Sequence, residues 1–92
     1  MKGTEKQIAY AQSLLEQFKA PLLADIQTQE KMIAAYRDRM ASGDPRDYSA
    51  QIEKRQQRID HNNTLIERAE AITDAGELID AIKYGRVSLR TV

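Results

Sequence analysis

Apolar residues return along this chain at alternating steps of three and four over two long stretches, separated by Ser42-Gly43-Asp44-Pro45. In the first stretch Leu22, Ile26, Ile33, Tyr36 and Met40 keep the rhythm, with Gln29 holding the missing position. In the second, Tyr48, Ile52, Ile59, Ile66, Ala69 and Thr73 repeat it, with Arg55 and Asn62 where apolar side chains belong. Such spacing is a coiled-coil seam rather than a broad apolar stripe. The turn between the stretches predicts an antiparallel helical hairpin. Gly43 suits the left-handed residue past a helix end, Asp44 the cap of the next helix and Pro45 its first position, while Asp47 adds negative charge to that N-terminus.

Folding at Gly43 sets Met40 beside Tyr48, Tyr36 beside Ile52, Ile33 beside Arg55, Gln29 beside Ile59, Ile26 beside Asn62 and Leu22 beside Ile66. On this register polar and apolar layers alternate. A polar group inside a dry seam costs about 1–3 kcal/mol if it lacks a partner. Gln29, Arg55 and Asn62 are therefore expected to reach water or to meet a second chain.

The flanks add two short elements. Thr4 with Gln7 reads as a capping box opening a helix whose apolar face holds Ile8, Ala11, Leu14, Leu15 and Phe18. Pro21 is expected to stop that helix and open the next. Asp74 with Glu77 starts a last helix carrying Leu78, Ile79 and Ile82, and Gly85 terminates it. The expected fold is all-α, a single domain with helices at about 5–19, 22–41, 45–72 and 75–84 and a tail at 85–92. The short first and last helices pack at the open end of the hairpin, where Leu22, Leu23, Ile26, Leu65, Ile66, Ala69 and Ile72 make the widest apolar surface. From Arg86 to Val92 the tail alternates polar and apolar residues, as a strand would.

Two segments carry a resemblance. Gly3-Thr4-Glu5-Lys6-Gln7-Ile8-Ala9-Tyr10-Ala11 resembles the T-E-K-Q-I-x-(Y/W)-A start of small uncharacterised helical proteins of bacterial prophages and mobile elements. Ala75 to Lys83 is similar to their closing A-x-x-x-I-D helix. The resemblance implies a setting, phage or mobile element, and no activity.

At 92 residues the chain makes one domain that buries only about 60–65% of the surface its unfolded form exposes, and oligomerisation would relieve that shortage. It has no cysteine, which removes disulfides, thiolate zinc sites and cysteine nucleophiles. The formal charge is zero, but Lys83, Arg86 and Arg90 fall in the last twelve residues, which hold no acid. No apolar run approaches the ~20 residues that span a bilayer, and Met1 to Glu5 lacks the apolar core of a signal peptide, so a cytoplasmic location is expected.

Candidate chemistry is sparse. His61, the one histidine, stands among Asp60, Asn62 and Asn63 and reads as a solvated helix position, because metal binding or base catalysis needs several groups converging in a pocket. Glu67 with Glu70, and Asp74 with Glu77, are ordinary pairs on charged helices. No phosphate loop, nucleophile elbow or dinucleotide fingerprint occurs. No catalytic, cofactor or metal residue is therefore expected, and no enzyme activity, membrane contact or small-molecule substrate.

Two surfaces are left as candidates. Gln29, Ile33, Tyr36, Met40, Tyr48, Ile52, Arg55, Ile59 and Asn62 form a contact face for a partner helix or a second copy. Arg37, Arg39, Arg46, Lys54, Arg55 and Arg58 near the hairpin tip, with Lys83, Arg86 and Arg90, form the alternative, a nucleic-acid contact diluted by Asp38, Asp44, Asp47 and Glu53. The first makes the chain a non-enzymatic interaction or assembly module, the second a nucleic-acid accessory factor.

Overall fold

The computed structural model describes residues 1–85. They form three helices, α1 (Glu5–Ala41), α2 (Ser49–Ala71) and α3 (Ala75–Lys83), and the fold is all-α, an antiparallel hairpin of α1 and α2 with α3 closing its open end. At 1.5 Å per residue α1 alone is about 55 Å long, which accounts for the 58 Å axis of a molecule only 23 and 16 Å across. The radius of gyration, 17.5 Å, compares with about 12 Å for a compact chain of this length. The molecule is an elongated rod.

The separate first helix does not exist as such. α1 runs unbroken from Glu5 to Ala41 with Pro21 inside it. Proline removes one amide and presses on the carbonyl four residues back. Here that carbonyl belongs to Gln17 on the exposed side of the helix, where water can serve it. The buried side is continuous across the proline. Ile8, Leu15 and Phe18 pack on the base cluster of Ala11, Ala69, Ala75, Leu78 and Ala81. Leu22 and Ile26 continue into a second cluster with Ile33, Ile52, Ile59 and Ile66. Packing on both sides of Pro21 holds the helix through it.

The caps form largely as the residues dictate. Thr4 Oγ1 accepts from the Gln7 amide at 3.2 Å and Gln7 Oε1 accepts from the Thr4 amide at 3.1 Å. Gly43 adopts φ +94°. Its amide donates to the Met40 carbonyl and that of Asp44 to the Arg39 carbonyl, the paired bonds of a Schellman stop. Asp74 accepts from the Glu77 amide at 3.1 Å, and Gly85 is left-handed at φ +66°.

The start of α2 differs. It begins at Ser49 rather than 45, with Tyr48 at the cap position. Asp44 is spent inside the turn, one oxygen accepting from the Arg46 amide at 2.9 Å and the other from the Tyr48 hydroxyl at 3.1 Å. Asp47 instead takes the Ser49 amide at 2.9 Å and its hydroxyl at 2.6 Å.

At the base, three fully buried alanines, Ala11, Ala69 and Ala75, let the helices approach closely around Leu78. The N-terminus is tied in by its backbone. The Lys2 amide donates to Thr73 O at 2.8 Å and the Ala75 amide to Lys2 O at 2.7 Å. A Cβ on Gly3, at φ +137°, would stand 3.0 Å from that of Ala75, so the N-terminal segment lies directly against the start of α3. Among the described residues no helix is long and apolar enough to cross a membrane. The tail reading, with Arg86 and Arg90, lies outside the described residues.

Candidate functional site

The polar positions of the seam organise the hairpin from within. Asp25, one residue ahead of the apolar Ile26, is their hub. Its Oδ2 accepts from Arg58 Nε at 2.7 Å and from Asn62 Nδ2 at 2.8 Å, and its Oδ1 accepts from Gln29 Nε2 at 3.1 Å. The bond from Arg58, then that from Asn62, holds the Asp25 carboxyl below its ordinary value, against a smaller upward push from burial. Gln29 Oε1 in turn accepts from Arg55 Nη1 at 2.8 Å. Arg55 then lies with its Cζ 5.5 Å from the centre of the Tyr36 ring, and Tyr36 stacks on Tyr48 at 4.9 Å.

This corrects the expectation of unmet polar groups. Gln29 and Asn62 are 4% and 6% exposed, yet both are hydrogen-bonded inside the chain, as is Arg55. Among the described residues no buried side-chain nitrogen or oxygen lacks a partner. Polar and apolar layers do not alternate either, because the side chains sort themselves. Ile26, Ile33, Ile59 and Ile66 form one apolar cluster while the polar ends turn toward Asp25 and Arg55.

The nine residues expected at a partner surface are consequently spent within the hairpin. Gln29, Ile33, Tyr48, Ile59 and Asn62 are buried, and Tyr36, Met40, Ile52 and Arg55 are half-buried. A charge at Ile33 or Ile59 would be buried inside the hairpin and should destabilise it. Arg55→Leu should leave Gln29 Oε1 buried without a donor and cost about 1–3 kcal/mol. In urea unfolding, Gln29→Leu/Arg55→Leu should recover much of that loss, since removing both partners orphans fewer groups. Equal stability of Arg55→Leu and the parent would show that this bond does not hold the seam.

The basic residues are dispersed. Arg37, Arg39 and Arg46 are exposed near the tip, with Arg39 beside the Tyr48 ring at 6.0 Å. Lys83 instead stands 5.3 Å from the Tyr10 ring centre. Tyr10 and Arg39 are about 43 Å apart by helical rise, so Lys83 and the tip arginines make no common surface. Lys54, Arg55 and Arg58 are the subset brought together, with Gln29 and Gln51, around a groove of about 260 Å³. His61 is exposed, and among the described residues no group of His, Asp and Glu is placed to hold a metal.

Sequence reasoning passed over Asp25 because it falls beside the seam rhythm rather than on it. The signal was two pairs four apart, Asp25 with Gln29 and Arg58 with Asn62, facing each other across the hairpin. The class these features define is a helical hairpin locked by a polar network. No protein-family model, curated protein or solved structure matches the chain.

Proposed function

We propose that the protein is a small non-catalytic helical module that works by assembling with another helix or with a second copy of itself. One observation carries this reading: little of the apolar core is fully enclosed. Among the described residues Leu78 is the single large side chain that is fully buried. Leu14, Leu15, Phe18, Leu22, Leu65 and Ile72 all remain half-buried along a rod 16 Å thick. A further helix laid against them would bury more of that surface, at about 25 cal/mol for each Å² of apolar surface removed from water. The polar seam adds nothing to this reading, since its bonds close within the chain. A phage or mobile-element setting belongs to the proposal through the Gly3–Ala11 and Ala75–Lys83 segments alone.

Absolute mass by light scattering behind a sizing column tests self-assembly, because a rod elutes early whatever its mass. The expected result is a mass that climbs above 10.5 kDa as concentration rises. A constant 10.5 kDa at every concentration would remove the second copy as the covering element.

A further inference from the structure

We infer that the groove between Gln29 of α1 and the Gln51, Lys54, Arg55, Arg58 stripe of α2 binds a phosphate-type oxyanion. The stripe steps by three, one and three, so one face of α2 delivers three cations and an amide to the same wall. No carboxylate lines that wall. Asp25 touches two of the lining residues, but both of its oxygens are occupied by Arg58, Asn62 and Gln29. Counted with Asp25, the three cations leave two positive charges.

The donors are disposed differently from those of an ordinary solvated face. Arg55 is fixed from behind by Gln29 at 2.8 Å and by the Tyr36 ring, which pre-sets its guanidinium at the groove. Arg58 uses Nε on Asp25 and keeps its terminal nitrogens for another acceptor. Lys54, four residues before Arg58, has no partner among the described residues. Like charges at this spacing repel, and an anion between them removes the repulsion. The volume, about 260 Å³, is under the ~300 Å³ where drug-sized ligand pockets begin, and suits one oxyanion with its water. Guanidinium and amide groups supply the planar donors that phosphate oxygens accept. The phosphate can be free or carried on a nucleic-acid backbone, and the site does not depend on whether the chain self-assembles.

Two substitutions leave the packing alone. Gln51→Glu puts a carboxylate into the wall, and it lies in the first turn of α2, which carries no acid and where the helix dipole favours one. Lys54→Gln removes the unpaired cation. Thermal unfolding is followed in sodium phosphate and in sodium chloride of equal ionic strength. Phosphate stabilises proteins generally by exclusion, so the readout is the gain of the parent over each variant. The parent should gain several degrees more than either, and the Arg55 and Arg58 Nε–H resonances should move with phosphate in the parent only. Short labelled DNA, duplex and single-stranded, is titrated at two salt concentrations. Binding that weakens about tenfold in Gln51→Glu and falls with salt assigns the phosphate to nucleic acid; a phosphate gain without DNA binding assigns it to a free anion. Equal gains in parent and variants, or arginine resonances unmoved by phosphate, overturn the site, and DNA binding indifferent to both substitutions overturns nucleic acid as the source of its phosphate.

Discussion

Leu78→Ala is expected to destabilise the protein by about 2–5 kcal/mol and to release α3 from the base. Leu78 is fully buried among Ala11, Ala69, Ala75 and Ala81. Alanines and backbone cannot swing into the space a leucine leaves, so the cavity should persist and the cost should fall in the upper part of that range. Domains of this size have about 5–14 kcal/mol in total, which makes the loss a large share. α3 has nine residues, too few to stay helical alone. Its release also removes the partner of Lys2, whose backbone bonds reach Thr73 and Ala75. The distal cluster of Ile26, Ile33, Ile59 and Ile66 shares no member with the base, so the two ends should separate in hydrogen exchange. Amides of α3 should lose protection in Leu78→Ala while those around Ile33 and Ile59 keep theirs. A loss below about 1 kcal/mol in urea unfolding, where 2 or more is the rule, would show that the base is not the stabilising centre.

What the sequence disclosed was local. The capping box at Thr4, the left-handed Gly43, the Asp74 cap and the Gly85 stop each involve groups within a few residues of one another, so the residues themselves specify them. The hairpin was legible for the same reason, since one turn and two seams fix its register. What depended on distant partners was not. Asp44 is a local exception, since its two oxygens accept from the Arg46 amide and the Tyr48 hydroxyl within the turn rather than from the first turn of α2. Gln29, Arg55 and Asn62 were visible as polar intrusions, but their bonds cross the hairpin, Arg55 to Gln29 directly and Asn62 to Asp25, and required the fold to be seen. The anion groove is likewise a product of packing, because Gln29 joins the α2 stripe only across the two helices.

Pro21→Ala is expected to raise stability by as much as about 3 kcal/mol, the cost of proline in a helix interior relative to alanine. Pro21 is the seventeenth residue of a 37-residue helix and its ring is exposed, so the substitution removes no buried contact. It restores an amide for the Gln17 carbonyl and lifts the clash of the ring with that turn. The proline reads as a boundary by propensity, while the steps from Ile8 through Ala11, Leu15, Phe18, Leu22 and Ile26 run in threes and fours without a break. The two signals conflict, and tertiary packing decides between them, because both halves of that face are already held, one by α3 and the other by α2. A rise in the thermal midpoint of Pro21→Ala, with more helical ellipticity, is the outcome for a continuous α1 that carries the proline at a cost. A fall would mean that the proline ring stabilises this turn of α1 by more than the missing amide costs.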